Sequence, residues 1–215
     1  MRYWGWSAAV VLGMMCAPAH AGSFLINATE RGWIQTGGSG NGTSSINNYL
    51  DGWRGDLNTE SRDFFIFAVP ALDGPVISAT LILDTATFGS PDASETYQVT
   101  SLPGGFTFAD LGTGTLFGSR AYTSADSGNS ASISLNAAGI AAIASNTNFG
   151  VGGRITTLSD TNGVNEWLFA FSTSTNLTQL QINTSSTVPE PATVGLMLAG
   201  LAGIVAMRHR RVASK

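Results

Sequence analysis

The sequence predicts an all-β body, a two-sheet antiparallel β-sandwich of the jelly-roll kind with one short helix, set between two hydrophobic ends. Three observations point there. From residue 23 to 182 the apolar residues come in short runs broken by Gly, Ser, Thr and Asn, as strands are broken by turns. Several runs alternate apolar and polar residues with a period of two, which puts one set on a buried face. Only one stretch of the body, Ala137 to Ala144, has helical character.

At the start, Arg2, the apolar run Ala8–Ala17 and the small-x-small triplet Ala19-His20-Ala21 have the order of a secretory signal helix. Residues 1–21 are therefore expected to be cut from the mature chain before Gly22, with Ala19 and Ala21 read by signal peptidase after export through the Sec translocon. Cys16 lies inside the discarded peptide.

The body is expected over residues 22–182. Ser23–Ala28 and Gly32–Gln35 open it as strands, and Thr36–Asn58 reads as a long Gly- and Asn-rich loop. Phe64–Val69 is apolar at every position, as a central strand covered on both sides must be. Val76–Asp84 puts Ile77, Ala79, Leu81 and Leu83 on one face. Thr96–Thr100 repeats the alternation with Tyr97 and Val99, and Ser130–Leu135 with Ala131, Ile133 and Leu135. Asn136 suits the N-cap of the helix, whose Ile140 and Ile143 should meet the sheet. Phe149–Ile155, Trp167–Phe171, with Trp167, Phe169 and Phe171 on one face, and Thr178–Ile182 complete about nine strands. Residues 183–187 form a polar linker.

Composition narrows the chemistry. The only Cys is Cys16, the His are His20 and His209, and the only Lys is Lys215, so the body has none of the three. It has no histidine or lysine base, no thiol nucleophile and no disulfide. Five arginines against thirteen acids leave the body at a net charge of −8, which opposes binding to nucleic acid.

The remaining candidates use oxygen, aromatic rings or carboxylates. Asp51, Asp56, Asn58 and Glu60 cluster in sequence and are a candidate calcium set, in a spacing that matches no EF-hand. Trp53, Tyr49 and Trp33, with Tyr122, fall in or beside predicted loops, where flat rings stack on sugars. Two carboxylates suffice for glycoside hydrolysis, and Glu60 with Asp63 or Asp51 with Asp56 are the nearest pairs. The expectation is nonetheless of a non-enzyme without a resident cofactor, adhesive or structural, with exopolysaccharide recognition and then glycosidase activity as its alternatives.

The C-terminus is the most specific stretch. Val188-Pro189-Glu190-Pro191-Ala192 precedes an uncharged run, Thr193–Met207, which is followed by Arg208, His209, Arg210 and Arg211. The prolines keep the box extended, and the arginines hold the far end in the cytoplasm. As a helix the run is about 22 Å long, short for a bilayer, and implies local thinning.

This order of parts resembles the PEP-CTERM sorting signal of Gram-negative bacteria. The resemblance covers residues 188–215 and implies a transmembrane helix over 193–207, an inner-membrane precursor, and cleavage near Pro189, Glu190 and Pro191 by an exosortase that sends the body to the surface or matrix. The stretch from Arg62 to Leu83 is also similar to secreted jelly-roll modules akin to carbohydrate-binding domains.

Overall fold

A computed structural model of the chain describes residues 22–41, 47–102, 104–159, 163–169, 177–185, 195 and 198–202. The chain divides into two compact units, residues 21–185 and the two ends, 1–20 with 186–215. The expected signal peptide, the Pro-Glu-Pro box and the Arg208–Arg211 cluster lie outside the described residues. So does most of the 193–207 run, of which residues 195 and 198–202 are helical. Among the described residues no helix is long and apolar enough to cross a membrane.

The body is an antiparallel sandwich. Its strands are β1 (Ser23–Asn27), β2 (Glu30–Gln35), β3 (Asp51–Arg54), β4 (Thr59–Ala68), β5 (Val76–Thr85) and β6 (Phe88–Gly89). They continue with β7 (Glu95–Ser101), β8 (Leu116–Tyr122), β9 (Asn129–Ser134), β10 (Asn148–Ile155), β11 (Asn165–Leu168) and β12 (Thr178–Thr184). One sheet runs β1-β12-β5-β9; the other runs β6-β11-β3-β4-β10-β7-β8, with β2 on the opposite edge of β4. Along the shared edge of β4, β3 pairs Thr59–Ser61 and β10 pairs Phe64–Ala68.

β4 is covered on both sides, as its unbroken apolar run predicts. Phe65 and Phe67 enter the main core between the sheets with Leu81, Leu83, Tyr97, Ile133 and Leu180. Phe64 faces the other way into a smaller cluster with Ile34 and Leu111, closed by Leu102, Phe106 and Phe108 from the β7–β8 connection. The helix α1 (Ala137–Ser145) starts where expected: the Asn136 side chain accepts from the amides of Ala138 and Gly139, and Ile143 is buried. Ile140 packs partly buried against the main core.

Five expectations need correction. The predicted loop 36–58 contains β3, which four residues with one glycine do not announce. β6 and β8 were likewise not foreseen; in β8, Leu116 is exposed and Gly118 and Arg120 interrupt the apolar pattern. Ile77 is 58% exposed although Ala79 and Leu81 of the same face are buried, because a bulge opposite Asn183 and Thr184 turns it outward. Trp167 and Phe169 do not share a face. Phe169 adopts φ 65°, ends β11 and turns its ring into the core, leaving Trp167 half-buried. Finally, β12 continues to the buried Thr184, so the linker begins later than residue 183.

Candidate functional site

Alternation along β4 creates two polar sites on opposite faces of one strand. On the outer face, Glu60 and Arg62 stand beside Arg154 of β10, in a groove of about 180 Å³ completed by Ile155, Thr156 and Leu158. The Arg62 Nε donates to Glu60 Oε1 at 2.8 Å, and its Nη1 donates to the carbonyls of Leu111 (3.0 Å) and Phe108 (3.3 Å). Its guanidinium also lies 4.1 Å from the centre of the Phe108 ring. The Nε and Nη1 of Arg62 are therefore engaged within the protein, and its charge is balanced by Glu60.

Arg154 differs. It has no ion-pair partner among the described residues, and its Nε is buried without a hydrogen bond. Its aliphatic stem lies against Gly112, where an added Cβ would come within 2.6 Å of Arg154 Cγ. Gly112 also has φ +71°, so glycine suits this position twice over. Trp53 stands in register opposite Glu60 on β3, half-buried on the same face, its Nε1 without a partner among the described residues.

On the inner face the acids are sealed from water. Asp51 lies where β3 stops and β10 begins along β4. Its carboxylate accepts from the Ile155 amide (2.7 Å) and the Asp63 amide (3.4 Å), taking the place of a strand at the junction. Asp63 accepts from the Tyr97 hydroxyl at 2.6 Å, and its second oxygen has no partner among the described residues. Burial pushes the Asp63 carboxyl up to about 7, against the opposing effect of the Tyr97 bond. Asp51 is also raised well above the ordinary carboxylate range, by burial and then by the charge of Asp63.

At the same end of the core, Arg31 is 1% exposed. Its Nη1 donates to Thr178 Oγ1 (2.6 Å), its Nε donates to the Asn47 carbonyl (2.8 Å), and it sits over the Tyr49 ring. Burial lowers its pKa.

These placements redistribute the sequence candidates. Tyr49 is fully buried; its hydroxyl donates to the Asp84 carbonyl and its ring packs against Phe65 and Phe169, so no surface ligand reaches it. Tyr122 is likewise a core residue. Trp33 is half-buried and in register with the inward Asp63. Trp53 alone of the four is on the same face as the groove.

The calcium candidates are scattered. Asp51 is internal, Asp56 pairs with Arg54 on an exposed turn (2.8 Å), Asn58 is exposed at φ 53°, and Glu60 belongs to Arg62. Among the described residues no three His, Cys, Asp or Glu side chains converge on a metal position. The hydrolase pairs are separated too. Glu60 and Asp63 lie three apart on one strand and so face opposite ways, and Asp51 is buried where Asp56 is exposed. Arg154 gives one signal in the sequence, its interruption of the apolar strand Phe149–Ile155, and is not among the sequence candidates.

A larger groove of about 510 Å³ lies between residues 69–76 and the C-terminal end of α1. Its lining carries no charged side chain to orient a ligand.

The fold and these sites define a β-sandwich body whose reactive-looking acids are interior and whose open polar face carries arginine, glutamate and tryptophan. The address is written elsewhere: residues 187–211 match the PEP-CTERM protein-sorting motif. The chain thus carries the signal of an exosortase substrate, an exported protein with a C-terminally membrane-anchored precursor and exosortase as its processing partner. No curated protein matches the chain.

Proposed function

We propose that the protein is a non-catalytic component of the cell surface or extracellular matrix, a jelly-roll body that holds rather than reacts. The match at residues 187–211 carries this reading. The strand order supports the jelly-roll assignment: once β2, β3, β6 and β11 are set aside, the remaining eight strands form the sheets β1-β12-β5-β9 and β4-β10-β7-β8, the first pairing the outermost strands of the body and the second pairing the early β4 with the late β10. The absence of His, Lys and Cys from the body supports a non-enzymatic role. In this reading signal peptidase removes residues 1–21 after Sec export, and exosortase removes the C-terminal helix and its arginines.

Intact mass of the cell-associated and released forms tests the proposal. The expected mature polypeptide begins at Gly22 and lacks residues 208–215, and deletion of Pro189, Glu190 and Pro191 leaves the longer precursor in the inner membrane. Recovery of a surface form that retains Lys215 would sink it.

A second reading, binding of extracellular polysaccharide, is favoured by one observation: the groove at Glu60, Arg62 and Arg154 shares its face with Trp53. A sugar ring stacks on an indole while charged and polar groups bind its hydroxyls. Loss of polysaccharide pull-down in Trp53→Ala, with the fold retained by circular dichroism, is the expected result; undiminished capture would remove Trp53 from the site.

A further inference from the structure

The outer-face groove holds three charges, two of which cancel. Glu60 and Arg62 are joined at 2.8 Å with side chains 19% and 12% exposed, and Arg62 is spent further on two backbone carbonyls. Among the described residues Arg154 is left as the uncompensated cation of the groove, in a body whose net charge is negative.

We propose that this groove is a subsite for a carboxylate-bearing sugar, with Arg154 binding the hexuronate carboxylate. The proposal rests on the polysaccharide reading above and adds the chemical class of the sugar.

Five features carry it. A guanidinium presents parallel N–H donors that match a carboxylate, and such a bond is about twice as strong as a neutral one. The Arg154 stem is held against Gly112, so little side-chain freedom remains to be lost on binding. The groove, at about 180 Å³, is smaller than the ~300–1,000 Å³ of drug-sized ligand sites, which suits a single sugar unit of a longer chain. Thr156 stands in the lining with its hydroxyl already donating to the Thr96 carbonyl, which leaves oxygen lone pairs for a sugar hydroxyl. Glu60 does not repel the ligand's carboxylate, because Arg62 balances it.

The test is affinity electrophoresis of the full-length chain in mild detergent, in native gels carrying polygalacturonate, its fully methyl-esterified form, or dextran. The expected result is retardation by polygalacturonate alone. Arg154→Gln should weaken it about tenfold, the scale of one lost charge-assisted bond, and Arg154→Lys by less. Arg54→Gln, an equal change of charge at the end of β3, where the guanidinium is paired with Asp56, should leave it intact.

Galacturonate should compete and inorganic phosphate at the same concentration should not; equal competition by phosphate would make this a simple anion site and overturn the sugar assignment. Equal retardation by the ester or by dextran overturns the preference for acid while leaving polysaccharide binding standing. No retardation by any polymer overturns both. A normal near-UV circular dichroism spectrum for each variant separates lost binding from lost folding, and undiminished binding by folded Arg154→Gln overturns the proposal.

Discussion

On the inner face of β4, Ser61, Asp63 and Phe65 have no solvent exposure, whereas on the outer face Glu60 and Arg62 keep part of theirs and only Phe64 is sealed. The two faces use the same residue types to opposite ends. Inside, two carboxyls are raised above the ordinary range, Asp51 bonded to backbone amides and Asp63 to a tyrosine; outside, a carboxylate of similar chemistry is paired with arginine at the rim of a groove. One step along the strand separates them. Acidic residue identity thus says little about role in a sandwich, and the face says most of it.

The comparison can be broken first at Phe65. Phe65→Ala removes a buried ring that packs edge-on to Tyr49, and a loss of about 3–5 kcal/mol is expected in urea unfolding followed by tryptophan fluorescence. A loss below about 1 kcal/mol would mean that the inner face is not the main source of stability.

Asp51→Ala should follow, at about 2–4 kcal/mol, since the buried amides of Ile155 and Asp63 lose their acceptor. Faster hydrogen exchange at the Ile155 amide would locate the damage, and unchanged exchange there would contradict the junction role.

Asp63 sharpens the contrast through pH. Its folded pKa, about 7, stands above the ordinary 3.8, so the folded state binds the proton more tightly than the unfolded chain. The stability it contributes is complete below about pH 4 and is lost as pH rises through about 7. The melting temperature should therefore fall over that window, and Asp63→Asn should flatten the slope while keeping an acceptor for Tyr97. An equally steep slope in the variant would assign the effect to other groups.

On the outer face the effects shrink. Arg62→Ala breaks two bonds to backbone carbonyls and its contact with Phe108, and should cost about 1–2 kcal/mol in the same urea assay. Glu60→Gln retains an oxygen toward Arg62 and should cost less than about 1 kcal/mol. A Glu60 effect as large as that of Asp51 would erase the distinction between the faces.

Much of the body was legible in advance, because runs such as Ala131, Ile133, Leu135 and the cap at Asn136 act over a few residues. β3 was not, since Asp51–Arg54 contains a glycine at φ 124° and owes its extended form to pairing with β4 and β11. Phe169 escaped for a related reason: its left-handed backbone breaks the period on which the face assignment depended. The groove was half legible. Trp53 and Glu60 were candidates, but Arg154 reaches them only through strand pairing across nearly a hundred residues of chain.

By itself the sequence determined which segments extend, where the α-helix of the body begins, and what the C-terminal signal is, since each depends on neighbours in the chain. Tertiary structure alone decided which of the acids are dry. Alternation assigns a residue to one of two faces, but what covers a face comes from remote segments: the β7–β8 connection laid over Phe64, and β3 meeting β10 along β4 at Asp51. Solvation follows from that covering, and with it whether a carboxylate is a charge at a groove or a proton-holding strut in the core.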